Sequence, residues 1–326
     1  MNFDSDFGGS GSGGGGTGSA ARSGRSDRTY LFVPGNRPER FAKALDSGAD
    51  AVILDLEDAV VADAKAAARA SIAAWAAGAD AAQRQRALVR INDAGSAHFA
   101  DDLRLLATLA GLGLCRAMLP KAESPAQIAL VWQVLADAAA APGGDAGSAT
   151  DAGARAATCA RASRGNGVLA LIESAVGVAR VEDIAAAPGV QRLVFGTLDF
   201  ALDLDLDIAE SSEPLLYAAS RIALASRLAG LPAPVAGVTP QLDDEPRLLA
   251  DLAWARRHGF GAKLCIHPRQ VAPIHAALAP SADALDWARR VLAAEAASPG
   301  AARLDGRMID RPVVLQAQRT LQRAGL

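Results

Sequence analysis

The chain has 326 residues, 51% of them hydrophobic, and a formal net charge of −3, enough for one large core or two small ones. A mild acidic excess with no basic stripe or aromatic platform argues against a nucleic-acid partner. No apolar run reaches bilayer-spanning length and no signal-peptide layout opens the chain, so a cytoplasmic protein without a membrane partner is expected.

Residues 1–27 are Gly/Ser-rich with almost nothing to bury, and are expected to form a disordered segment. From Tyr30 to Pro268 apolar runs of strand length alternate with helical spacing. Strands are predicted at 30–34, 51–56, 87–91, 116–120, 168–172, 192–195, 234–238 and 262–266, the seventh of them weak. Helical patterns occupy 38–47, 62–76, 99–110, 125–139, 213–229 and 244–258. This repeat predicts a TIM (β/α)8 barrel over residues 28–297, with a doubly wound open sheet as the alternative. An Ala/Gly/Asp-rich stretch at about 138–166 reads as a surface insertion, and residues 298–326 as a C-terminal helical extension or lid. Three cysteines, Cys115, Cys159 and Cys265, are odd in number and scattered, which suits a reducing compartment; Cys115 and Cys265 read as small core residues.

Ionisable residues gather where the predicted strands end. Asp55, Glu57 and Asp58 close the second, Arg90, Asn92 and Asp93 the third, and Lys121 and Glu123 follow the fourth. Glu173 closes the fifth, Asp199 the sixth and His267 the eighth; the N-terminal strand ends show no comparable convergence. Barrel enzymes assemble their active sites at C-terminal strand ends. Glu173 and Asp199 could be helix caps or loop acids. Yet each follows a continuous apolar run, where a carboxylate needs a cation, an arginine or solvent to offset desolvation, and together they read as oxygen ligands for Mg2+. Arg90 reads either as the ion-pair partner of a rim acid or as a fork for a substrate carboxylate or oxyanion. Strand alternation sends Asp55 and Glu57 into the barrel mouth and Asp58 to the opposite face, and leaves open which acid is structural and which catalytic. Pro34-Gly35-Asn36 with Arg37 and Arg40 is a strand-to-helix turn whose amides and arginines could also meet an anion. His267-Pro268 reads as a turn-setting pair.

With these residues assembled, the chain resembles the citrate lyase β-subunit-like branch of the HpcH/HpaI aldolase/citrate lyase family. The carriers are the segments 31–35, 51–60, 89–92, 118–124, 171–175, 195–200, 263–268 and 306–310, in that order. The resemblance implies a Mg2+-dependent carbon–carbon lyase acting on a citryl-, malyl- or citramalyl-type acyl thioester and releasing or condensing a 2-oxo acid. Its alternatives are an aldolase of free 2-oxo acids without CoA, or a carrier-dependent subunit inactive alone. It implies metal held at Glu173 and Asp199, and substrate bound at Arg90, with Phe32, Arg40 and Glu173 lining the site. Glu57, through Arg90, and Asp310 are the candidate bases. A partner acyl-CoA or acyl carrier protein and a homotrimer are also implied, Asp310 reaching a neighbouring subunit's site. Two departures stand out: Phe32 takes a position often held by tyrosine, and Val235-Ala236-Gly237-Val238 lacks the acid many relatives carry near the seventh strand.

Overall fold

The computed structural model describes residues 27–140, 166–298, 300 and 303–325. The expected disordered segment, apart from Asp27, and most of the 138–166 insertion lie outside the described residues. Parallel strands close a barrel in chain order: β1 (Thr29–Pro34), β2 (Ala51–Asp55), β3 (Ala87–Arg90), β4 (Arg116–Leu119), β5 (Gly167–Ile172), β6 (Val190–Phe195), β7 (Val235–Ala236) and β8 (Ala262–Cys265). β8 pairs back on β1, with Tyr30 opposite Leu264. The fold is the predicted (β/α)8 barrel, not the open sheet. The weak seventh strand is two residues long and touches β6 through the single register pair Val194–Val235.

Helices surround the strands: α1 (Phe41–Asp46), α2 (Lys65–Gly78), α3 (Ala81–Arg86), α4 (Phe99–Gly111), α5 (Pro125–Ala140), α6 (Ala175–Ala179), α7 (Val181–Ala185), α8 (Thr197–Asp203), α9 (Leu216–Leu228), α10 (Glu245–Arg257) and α11 (Val271–Leu278). Alternation along the strands sorts two apolar layers. Ala51, Ile53, Leu88, Met118, Leu169, Leu171, Val194 and Leu264 fill the barrel, while Val52, Leu54, Val89 and Ala170 meet the helices. The helices answer with one apolar face each, as Ile128, Val131, Leu135 and Ala139 do on α5. No described helix is long and apolar enough to cross a membrane.

Two expectations need correction. The N-terminal strand ends do gather polar side chains. Arg116 Nη2 donates to Asp27 Oδ2 at 2.7 Å, and Arg192 Nη1 donates to Asp27 O at 2.6 Å and Tyr30 Oη at 3.2 Å. The group is buried and internally bonded, so it closes the barrel floor rather than presenting chemistry. Cys115 is not a plain core thiol but is disulfide-bonded, whereas Cys265 is free and buried.

Beyond the barrel, α12 (Ala282–Ala297) and α13 (Arg311–Ala324) flank a short hairpin, β9 (Arg303–Leu304) with β10 (Arg307–Met308). Ala288, Val291, Ile309 and Ala317 form a small core of their own there, separate from the two barrel layers.

Candidate active site

Arg90 is the hub of the rim. It ends β3, is 8% exposed and faces inward beside Asp55 of β2, its partner in register. Its Nε and Nη2 donate to Asp55 Oδ1 and Oδ2 at 2.8 and 2.7 Å, a two-pronged bond that fixes the guanidinium plane. The Phe32 ring packs beneath that plane, 4.7 Å from the guanidinium carbon. The third nitrogen, Nη1, donates to Asp58 Oδ2 at 3.1 Å and lies 2.8 Å from Glu57 Oε2.

Asp58 therefore joins the same cluster instead of pointing away. β2 stops at Asp55 and the chain turns, so strand alternation no longer applies beyond it. Asp55 holds that turn, accepting the Glu57 and Ala59 N–H groups at 2.9 and 3.2 Å. With four hydrogen bonds made, Asp55 is the structural acid of the three.

Glu57 Oε2 is close to Arg90 but off the N–H direction, and it makes no hydrogen bond. Burial pushes the Glu57 carboxyl up to about 8; Asp58, Glu173 and Asp55 push the same way and Arg90 opposes them. The upward direction is physically sound, because one guanidinium shared among three carboxylates leaves a surplus of negative charge.

Glu173 follows β5 directly and is 4% exposed. The Lys121 N–H donates to its Oε1 at 2.8 Å, and Lys121 holds a left-handed backbone (φ 44°) to aim that amide. Burial raises the Glu173 carboxyl to about 7; the Asp199 and Asp58 carboxylates add to the rise, against the Lys121 amide and Arg90. Asp199 lies not on the sixth strand but in the first turn of α8, where it is exposed. The two acids thus face one mouth from successive β/α units, and neither is the helix cap there: Ser174 caps α6, accepting the Gly177 N–H at 3.1 Å.

Gly196, between β6 and α8, is what lets Glu173 sit here. A Cβ at that position would lie 2.5 Å from Glu173 Oε2 and 2.6 Å from its Cβ. We expect Gly196→Ala to displace the carboxylate and weaken divalent-cation binding at least about tenfold in calorimetry, since a ligand misplaced by even an ångström loses most of its effect. Circular dichroism should show the barrel intact, and unchanged cation affinity would rule out this packing role.

A buried network braces the acid turn from below. Lys65 Nζ donates to Leu56 O and Glu57 O at 2.9 and 3.1 Å and to Asn92 Oδ1. Asn92 N and Nδ2 donate to Asp102 Oδ2 at 2.8 and 2.6 Å, and Arg69 Nη1 donates to Asp102 Oδ1 at 2.9 Å. The sequence reading missed Lys65, Asp102, Gly196 and the Lys121 amide. Asp102 left a trace, a lone carboxylate among the buried positions of α4.

Two expected residues lie apart from this cluster. Arg40 is exposed in a one-turn 3-10 helix (Pro38–Arg40), and its ion contact is with Glu39 at 4.0 Å. Asp310 caps α13, accepting the Val313 N–H at 3.2 Å within the C-terminal hairpin unit. His267 accepts the Arg269 N–H at 3.1 Å, the turn-setting role expected of it.

As a metal site, the mouth offers oxygen donors alone. Among the described residues no group of three or more His, Cys, Asp or Glu could hold a metal. Glu173 and Asp199 repel one another across the mouth, and a hard cation between them would offset that repulsion while leaving most positions for water or ligand. The donor set therefore fits Mg2+.

Comparisons with known proteins span the whole barrel. A family model described as HpcH/HpaI aldolase/citrate lyase matches residues 28–268. A citrate lyase subunit beta-like protein of Mycobacterium tuberculosis is 35% identical over 301 residues, covering 91% of this chain and 95% of its own. An L-malyl-CoA/beta-methylmalyl-CoA lyase of Cereibacter sphaeroides is 30% identical over 322 residues, covering 92% and 95%. The crystal structure of protein CitE from M. tuberculosis, in complex with magnesium, acetoacetate and coenzyme A, is similar at a TM-score of 0.73. It is 34% identical, covering 92% of this chain and 99% of that one.

Proposed function

The chain belongs to the HpcH/HpaI aldolase/citrate lyase family, and on that premise we propose that it is a Mg2+-dependent carbon–carbon lyase. Its substrate is a citryl-, malyl- or citramalyl-type CoA thioester, cleaved to a 2-oxo acid and an acyl-CoA. The observation that carries this reading is Arg90, locked by Asp55 and near enough to Glu173 to oppose the rise that Asp199 adds to its carboxyl. The magnesium- and CoA-bound CitE relative supports it.

Glu173 and Asp199 would hold the ion, which when bound polarises the oxo-acid carbonyl. Arg90 supplies the donor for the thioester enolate oxygen that develops as the bond breaks. Asp55 and Phe32 keep its plane fixed, so little reorganisation is needed at that moment. Glu57, held near 8 by burial, exchanges a proton at Oε2 close to neutral pH: in cleavage it takes the hydroxyl proton and passes it to the enolate carbon, and in condensation it takes the methyl proton and returns it to the alkoxide oxygen. Asp310 sits on a unit with its own small core, which is compatible with service to a neighbouring subunit in a homotrimer. Citrate lyase carrier dependence is the second reading, supported by the citrate lyase beta-like relative.

Incubating the full-length protein with malyl-, citramalyl- and citryl-CoA, with and without Mg2+, tests the assignment by the 2-oxo acid released. Turnover of at least one thioester, strictly requiring the metal, is expected. Inert CoA thioesters alongside cleaved free hydroxy-oxo acids would overturn it, and activity only with an acyl carrier protein would favour the second reading.

The Glu173 carboxyl also sets a pH dependence. Its protonated form cannot ligate, so Mg2+ affinity should be constant above pH 8 and fall about tenfold per pH unit below 7. Calorimetric titrations at pH 6, 7 and 8 measure it, and a flat profile would remove Glu173 from the ligand set.

A further inference from the structure

A cavity of about 170 Å3 lies behind the barrel wall between β6–β8 and helices α8 and α10. None of Asp55, Glu57, Arg90, Glu173 or Asp199 lines it. Most of its wall is apolar, built on Phe195, Leu215, Trp254 and Phe260. One charged side chain in it lacks a counter-ion. Lys263 projects outward from β8, between the inward-facing Ala262 and Leu264, and is 2% exposed.

An ammonium carries three N–H donors. Among the described residues Lys263 Nζ has one acceptor, the Gly237 carbonyl at 2.8 Å. Its register partner on β7 is Ala236, whose methyl offers nothing. Asp251 exerts a field on Lys263, but its oxygens are engaged by Thr239 Oγ1 at 2.7 Å and Arg247 Nε at 2.9 Å. Arg247 and Asp251 thus neutralise each other, and the lysine is left as the unbalanced charge. Burial draws its pKa down to about 8, as expected of an ammonium short of acceptors.

We propose that this cavity binds a small monocarboxylate with an apolar body. Its oxygens supply the acceptors Lys263 lacks, and its body lies against Phe195, Trp254 and Phe260. A cavity of ~150 Å3 accommodates benzene, so the ligand is of the size of benzoate or hexanoate. A dicarboxylate such as oxaloacetate would bring a second charge against the apolar wall, at a cost no residue there offsets. This site does not depend on the lyase reading.

Calorimetry and ligand-observed NMR on the full-length protein at pH 7, with benzoate and hexanoate and with benzyl alcohol and 1-hexanol as uncharged counterparts, test the assignment. Both acids should bind and neither alcohol should. Lys263→Met should weaken the acids at least about tenfold, the loss of one charge-assisted hydrogen bond. Ala236→Asp, which sets a carboxylate beside Lys263 in register, should abolish binding, and it decides the matter if the methionine variant does not fold. Glu173→Gln should leave binding unchanged. Failure of both acids to bind, equal binding by the alcohols, persistence in Lys263→Met or Ala236→Asp, or loss in Glu173→Gln would each overturn the proposal.

Discussion

Arg90→Lys is expected to lower kcat by about two to three orders of magnitude while the protein stays folded, the effect of removing an aligned oxyanion donor. The native guanidinium does two jobs at once: Nε and Nη2 grip Asp55, while Nη1 meets Asp58 and Glu57 at the rim. A lysine ammonium is a point charge with no planar fork, so it can neutralise Asp55 or reach the substrate, but not both. KM should move less than kcat, because the lost interaction belongs to the transition state. Steady-state kinetics at saturating Mg2+ with the responsive thioester measure it, with a thermal melt as the folding control. A variant within about threefold of wild type would sink the assigned role. Alanine is the poorer probe. It would leave Asp55, 1% exposed, facing Glu57 and Asp58 with no cation, a loss of about 3–5 kcal/mol that confounds stability with chemistry.

Glu173→Gln should move stability and activity in opposite directions. The folded carboxyl titrates at about 7 against an ordinary 4.5, so the native state holds its proton more tightly than the unfolded chain. Stability is therefore undiminished below pH 4.5, declines as pH rises toward 7, and above it carries a penalty on the order of 3 kcal/mol at 1.36 kcal/mol per pH unit. Glutamine keeps an oxygen for the Lys121 N–H and has no charge to bury. Without metal at pH 8, the variant should melt about 5 °C or more above wild type, and at pH 4 the two should coincide. Magnesium binding and turnover should disappear. Equal melting at pH 8 would contradict the picture of a charge held in an unfavourable place for function.

The barrel was legible because its strands are buried on both sides. Near-continuous runs such as Gly167–Ile172 have one architectural explanation once they alternate with helical faces. Strand ends were legible for the same reason: Asp55, Arg90 and Glu173 interrupt apolar runs and need partners. Past the last strand residue that logic fails, and Asp58 was sent the wrong way because its direction is set by a turn bonded to Asp55. Asp199 was read as closing the sixth strand though a helix has already begun at Thr197, where backbone pairing rather than side-chain pattern decides. Gly196 and the Lys121 amide contribute through space left empty and through a main-chain donor, neither of which a residue type announces. Arg116 and Arg192 were missed because their partners lie far along the chain.

That distance has a consequence of its own. Asp27 meets Arg116 and Arg192 across 89 and 165 residues of sequence, so the floor cannot assemble until the chain has travelled most of the way round. The entropy of closing so long a loop is overcome only by contacts that form together with ring closure. Cohesion is anchored at one pole and chemistry at the other. Rim loops can therefore change without loosening the clasp that keeps the ring shut.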